Sequence, residues 1–169
     1  YGVTKDVDII MGTFSKSFAS LGGFIACDKT ITNFLRHHSR SYIFTASITP
    51  ASTAAASAAL DIMMSEPERM ENLWDITHYA LDGFRNMGCE IGNTSTPIIP
   101  LYIRDNNLTF MITKELSDAG IFVNPVVSPA VAPHDTLIRF SLMATHTKEQ
   151  VTIALETIQK IFKKYNLIP

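Results

Sequence analysis

The spacing of apolar positions changes several times along this chain, and each change marks an element. Val7 to Met11 is a short continuous apolar run, which predicts a buried strand, and Gly23 to Cys27 predicts a second. Between them, Gly12 to Gly22 reads as a polar, serine-rich loop. Lys29 to His38 is predicted helical, and Tyr42 to Phe44 is predicted as a short strand. Pro50 opens a stretch of small residues, Ala51 to Met64, which predicts a buried helix with proline in its first turn. Ser65 with Glu68 fits a capping box, with Pro67 suited to the first turn of the helix that follows. That helix carries Met70, Leu73, Trp74, Thr77, Leu81, Phe84 and Met87 at helical spacing and stops at Gly88. Trp74 and the methionines at helical positions are assigned to the core.

The second half continues in the same way. Ile98 to Ile103 predicts a strand, and Leu108 to Ala119 a helix ended by Gly120. Phe122 to Val126 and Leu137 to Leu142 predict two more strands. Thr147 with Gln150 is another capping box. It starts a last amphipathic helix with Val151, Ala154, Leu155, Ile158, Ile161, Phe162 and Tyr165 on one face. The chain is therefore α/β in character. A boundary is expected near Ser65, with residues 1–64 forming the end of a large sheet domain and 65–169 a compact helix-and-strand domain. The first residue is not methionine, and an apolar strand follows almost at once. The expectation is a fragment entered mid-domain.

Composition narrows the function classes. With 46% hydrophobic and 18% charged residues there is enough apolar material for a core. A net charge of −2 gives no electrostatic case for nucleic acid. Cys27 and Cys89 form no CxxC pattern, so neither a disulfide framework nor a zinc site is expected, and a reducing compartment is. No metal is expected, since His37, His38, His78 and His134 lack ligand spacing. His146, just before the cap Thr147, reads as structural. The Ala51 to Met64 run is shorter than the ~20 residues of a membrane span, and Asp61 interrupts it.

The chemistry-bearing stretch is Asp8-Ile9-Ile10-Met11-Gly12-Thr13-Phe14-Ser15-Lys16-Ser17-Phe18-Ala19-Ser20-Leu21-Gly22-Gly23. An apolar strand ends, and a hydroxyl-rich loop with one lysine follows. Thr13, Ser15 and free backbone N–H groups can donate to a phosphate. Lys16 supplies an amine suited to nucleophilic and proton-transfer work. The glycines allow a tight return to the sheet. A lone loop lysine is, by itself, more commonly a solvated charge. A nucleotide phosphate loop is excluded, because Ser15 and Ile10 stand where that motif needs glycine.

The stretch from Thr13 to Gly23 resembles the cofactor-lysine motif of the α-oxoamine synthases. These are fold-type I pyridoxal-5′-phosphate (PLP) enzymes that condense an amino acid with an acyl thioester and release CO2. The likeness runs on through Glu66-Pro67-Glu68-Arg69, Pro97 to Leu101, Asn124-Pro125-Val126 and Arg139 to Thr147. It is strongest toward the bacterial serine palmitoyltransferase branch.

The resemblance implies that Lys16 holds PLP as a Schiff base and then moves protons at the substrate α-carbon. It implies that Thr13 and Ser15 bind the cofactor phosphate. Thr45, in Phe44-Thr45-Ala46-Ser47, matches a threonine that reaches the phosphate bound by the neighbouring subunit. Arg139 matches the arginine that grips the substrate carboxylate, a task its planar fork suits. Simpler roles remain open: Thr13 and Ser15 capping a turn, Thr45 satisfying backbone near Pro50, and Arg139 as a half-exposed strand residue. The sequence departs from some relatives at Val127, where they carry a second arginine, and this bears on serine specificity.

The implied reaction joins L-serine to a long-chain acyl-CoA, giving 3-oxosphinganine, CoA and CO2. The implied enzyme is a cytoplasmic homodimer with its active site at the subunit interface, peripheral at most to the inner membrane. Glycine C-acetyltransferase and 8-amino-7-oxononanoate synthase are alternatives within the family. A non-catalytic partner subunit and an aminotransferase of the same fold are alternatives of other kinds. The family's ring-stacking histidine and its aspartate for the pyridine nitrogen are not in this sequence, so the fragment alone is expected to be inactive.

Overall fold

The computed structural model describes residues 1–169. They separate into two units, Tyr1–Pro67 and Glu68–Pro169. No helix is long and apolar enough to cross a membrane.

The first unit begins with two antiparallel strands, β1 (Ile9–Thr13) and β2 (Gly23–Cys27). Helix α1 (Lys29–His38) follows, capped by Asp28, whose carboxylate accepts from the Thr30 N–H at 2.7 Å. Where Tyr42 to Phe44 is predicted as a strand, the chain instead makes a short helix, α2 (Arg40–Ile43). The Ser39 hydroxyl accepts from the Tyr42 N–H, and the Phe44 N–H donates to the Arg40 carbonyl at 2.9 Å. A cap just before a short apolar run outweighs its strand preference. Helix α3 (Pro50–Ser65) starts at the Thr49 cap with proline in its first turn.

Burial in this unit runs against the sequence reading. Of all its residues only Ala56 is buried, on α3. The expected buried strand is exposed on both faces, and so is most of the expected buried helix. A two-stranded ribbon cannot cover its own faces. Ser65 does not cap the next helix either. It is the last residue of α3, and its hydroxyl donates back to the Asp61 carbonyl at 2.8 Å.

The second unit holds the core. Helix α4 (Glu68–Asn86) is followed by β3 (Ile98–Tyr102), α5 (Asn106–Asp118), β4 (Asn124–Val126), β5 (Leu137–Ser141) and α6 (Lys148–Lys164). The strands form an antiparallel sheet in the order β3-β5-β4. Helix α5 begins two residues before the prediction. Asp105 caps it by accepting from the Leu108 N–H at 2.7 Å. Helix α6 starts at the full capping box of Thr147 and Gln150.

Alternation along the strands separates two faces. Ile99, Leu101, Ile138 and Phe140 point into a core shared with Phe84 of α4, Ile112 and Leu116 of α5, and Ile158 and Phe162 of α6. The other face carries Ile98, Pro100, Tyr102, Leu137, Arg139, Ser141, Asn124 and Val126, none of them buried. Trp74, assigned to the core by its spacing, lies 38% exposed and stacks on His78 one turn along α4.

Phe84 is fully buried and meets Phe140 edge-on at 5.1 Å between centroids. Phe84→Ala is expected to destabilise this unit by about 3–5 kcal/mol in urea denaturation, against about 1 kcal/mol for Thr147→Ala at the α6 cap. A loss for Phe84→Ala no larger than that of the cap would contradict this core. Burial also pushes the Cys89 thiol up to about 11. Cys89 is therefore expected to resist iodoacetamide at neutral pH until the unit unfolds, while the half-buried Cys27 reacts first.

Candidate active site

The hairpin of β1 and β2 presents the lysine. Thr13 and Gly23 are its last paired residues. Two further bonds close the base of the loop: the Phe14 N–H donates to the Gly22 carbonyl at 2.9 Å and the Ser20 N–H to the Phe14 carbonyl at 2.8 Å. Gly22 has φ +91°, and a Cβ on Gly23 would lie 2.5 Å from the Gly12 carbonyl oxygen. Both positions therefore call for glycine. Beneath the loop, the Phe14 ring packs on Phe18 at 5.3 Å and Phe24 at 5.7 Å. The Ser20 hydroxyl donates to the Ser52 carbonyl at 2.6 Å, which ties the loop to α3.

With its base pinned, the loop turns its polar residues outward. Ser15, Lys16 and Ser17 are exposed. The Lys16 Nζ donates to the Thr13 Oγ1 at 3.2 Å. The Ala19 N–H closes a turn on the Lys16 carbonyl at 2.9 Å, while the N–H groups of residues 15–18 donate to no carbonyl in the chain. Free N–H groups, two hydroxyls and an amine on one short loop are a set that suits a phosphate and an aldehyde-bearing cofactor. A cavity of about 600 Å³ opens beside the hairpin against α1 and α2. Thr13 lines it; Ser15, Lys16 and Thr45 do not.

The remaining candidates lie outside this loop in the chain. Thr45 is exposed between α2 and α3 and makes no side-chain hydrogen bond. Arg139 belongs to the second unit. It is the middle residue of β5, exposed on the open face, with Pro100 and Asn124 as its cross-strand neighbours. It has no ion-pair partner within the chain. His146 accepts from the Met143 N–H through Nδ1 at 3.2 Å, closing the turn after β5. That is the structural role its place before the cap predicts.

One polar cluster escapes the sequence. Arg104, held at φ +69°, donates through Nε to Glu90 at 3.2 Å and through Nη1 to the His134 carbonyl at 3.0 Å and Asp135 at 2.6 Å. Its Nη2 also meets Glu90, and the guanidinium covers the Tyr102 ring at 4.5 Å. The cluster fixes the turn that leads into β5, and so into Arg139. Its partners are 14 and 31 residues away in sequence, which no local pattern reveals.

A profile of the aminotransferase class I and II family matches residues 1–158. The chain belongs to the aminotransferase class I and II family. Within it, the chain is 60% identical over 168 residues to a serine palmitoyltransferase of Bacteroides thetaiotaomicron, covering 99% of this chain and 43% of that protein. It is 37% identical over 168 residues to an 8-amino-7-oxononanoate synthase of Thermosipho melanesiensis, again 99% of this chain and 43% of that one. The solved serine palmitoyltransferase of Sphingomonas wittichii superposes with a TM-score of 0.92 at 32% identity, over 99% of this chain and 43% of that one. A structure of SPT with its PLP internal aldimine superposes with a TM-score of 0.91 at 31% identity, over 99% of this chain and 42% of that one. The chain thus spans less than half the length of these relatives, and over that span its fold is the fold-type I α/β fold of the family.

The Arg104 cluster has a measurable signature. Hydrogen bonds from its guanidinium hold the Glu90 carboxyl below its ordinary 4.5. A depressed carboxylate stabilises the fold above its unfolded value and loses that contribution as pH falls through the folded one. The second unit is therefore expected to lose stability as pH drops below 4.5, and Arg104→Ala to flatten that slope in acid titrations followed by circular dichroism. The effect is small, because the groups are exposed.

Proposed function

We propose that this chain supplies the cofactor lysine and the carboxylate-binding arginine of a PLP-dependent α-oxoamine synthase that condenses L-serine with a long-chain acyl-CoA. The products are 3-oxosphinganine, CoA and CO2. The observation that carries this reading is the loop itself, where the Lys16 amine stands 3.2 Å from the Thr13 hydroxyl among free N–H groups. Identity of 60% to a serine palmitoyltransferase supports the choice of substrates.

In this reading residues 1–64 are the C-terminal part of the cofactor-binding large domain, and 65–169 are the small domain. Lys16 holds the cofactor and, once released, carries a proton to and from the substrate α-carbon. Thr13 and Ser15 donate to the phosphate, together with the loop N–H groups. Thr45 reaches the phosphate bound by the other protomer of a homodimer. Arg139 binds the amino acid carboxylate. PLP supplies an electron sink for the carbanion, while the protein positions and protonates. The enzyme works in the cytoplasm, with loose membrane contact through its acyl substrate.

The likeness to 8-amino-7-oxononanoate synthase favours a second reading, a synthase using another small amino acid. The presence of Lys16, Thr13 and Arg139 argues against a non-catalytic partner subunit.

The test uses the full-length protein carrying this chain, loaded with PLP. Borohydride reduction and peptide mapping are expected to find the cofactor on Lys16, and Lys16→Ala to abolish it. An unlabelled Lys16 would sink the enzyme reading. Titration with L-serine and glycine, followed by the cofactor absorption, then assigns the amino acid. Response to glycine alone would move the protein to the glycine-using synthases.

A further inference from the structure

We propose that Asn124 is a second recognition residue for the substrate carboxylate, acting beside Arg139. This rests on the carboxylate role of Arg139 given above. The sheet register sets the neighbours. Arg139 is paired with Pro100 on β3 and with Asn124 on β4. Directly opposed residues of an antiparallel ladder share a face, with Cβ atoms roughly 4.5–5.5 Å apart. The Pro100 side chain has no polar atom to offer, whereas Asn124 has an amide.

The surroundings make this pair distinct. Arg139 and Asn124 are both exposed, and neither side chain makes a hydrogen bond or ion pair within the chain. Arg139 is the only charged residue on the open face. Ile98, Leu137 and Val126 around it are apolar, and the Tyr102 ring is covered by Arg104. A carboxylate approaching this face meets one cation and one amide at the same level of the sheet.

The chemistry of the ligand uses both. A carboxylate has about four acceptor positions, and a bidentate guanidinium fills about two of them. An amide N–H from β4 fits one of those left over. The amide oxygen can meanwhile accept from Arg139 and hold the fork toward the ligand. Asn124 therefore favours substrates that carry a carboxylate and contributes nothing to an amine that lacks one.

The experiment uses the full-length PLP-loaded protein carrying this chain and reads dissociation constants from the cofactor absorption. The ligands are whichever of L-serine and glycine the wild type binds, and its carboxylate-free counterpart, ethanolamine or methylamine. Asn124→Ala is expected to weaken the amino acid by about tenfold and to leave the amine unchanged. Asn124→Asp, which keeps the shape and sets an anion beside the carboxylate, is expected to weaken it by about a hundredfold, again sparing the amine. Unchanged amino acid binding in Asn124→Ala, alongside its loss in Arg139→Ala, overturns the role of Asn124 and leaves that of Arg139 standing. Equal loss of both ligands in Asn124→Ala marks a structural residue and also overturns it. Unchanged binding in Arg139→Ala overturns the carboxylate reading and this inference together.

Discussion

The three-stranded sheet of the second unit is covered on one face only, and that asymmetry governs what its strands can do. Helices α4, α5 and α6 meet Ile99, Leu101, Ile138 and Phe140 on the inner side. Because side chains alternate along a strand, burying Ile138 and Phe140 leaves Arg139 no choice of direction. An arginine in the middle of an apolar strand would be costly if it faced the core. Here the same packing that stabilises the unit points its guanidinium outward. The fixed turn before β5, gripped by Arg104, sets where along the sheet that happens.

The first unit works by a different constraint. Its strands bury almost nothing, so the loop at their end is held by local devices rather than by a core. Three aromatic rings, two closing hydrogen bonds and the tie to α3 keep its base in place. What remains free is polar and points outward. Rigidity below and availability above are what a lysine needs if it is to hold a cofactor and then move protons.

Much of this was legible in the sequence, for reasons that differ by element. The start of α6 follows from a strong cap and a periodic apolar face, and the structure places it as those signals direct. The Tyr42 to Phe44 stretch misled because three residues cannot establish a period, and the Ser39 cap decided the matter locally. Ser65 misled because a hydroxyl near the end of one helix looks, in sequence, like the start of the next. The burial of Val7 to Met11 could not be read at all, since an apolar strand records what it prefers and not what covers it. Lys16, Thr13, Ser15, Thr45 and Arg139 are candidates because the short stretches around them resemble those of a family, and among them only Lys16 and Thr13 are joined by a hydrogen bond. The pairing of Arg139 with Asn124 was not legible, because it depends on a register between strands about a dozen residues apart.

The closure of the hairpin on Gly22 and Gly23 also bears on how this segment tolerates change over evolutionary time. Ser17 at the top of the loop can drift, since its side chain is exposed and unbonded. The length of the loop cannot. One inserted residue between Phe14 and Gly22 would have to bulge out of the closed turn, at the expense of the bonds Phe14 makes with Ser20 and Gly22, or widen it and carry the lysine away from Thr13. The length of this stretch should therefore be held more tightly than the identity of Ser17, whose exposed side chain bonds to nothing in the chain.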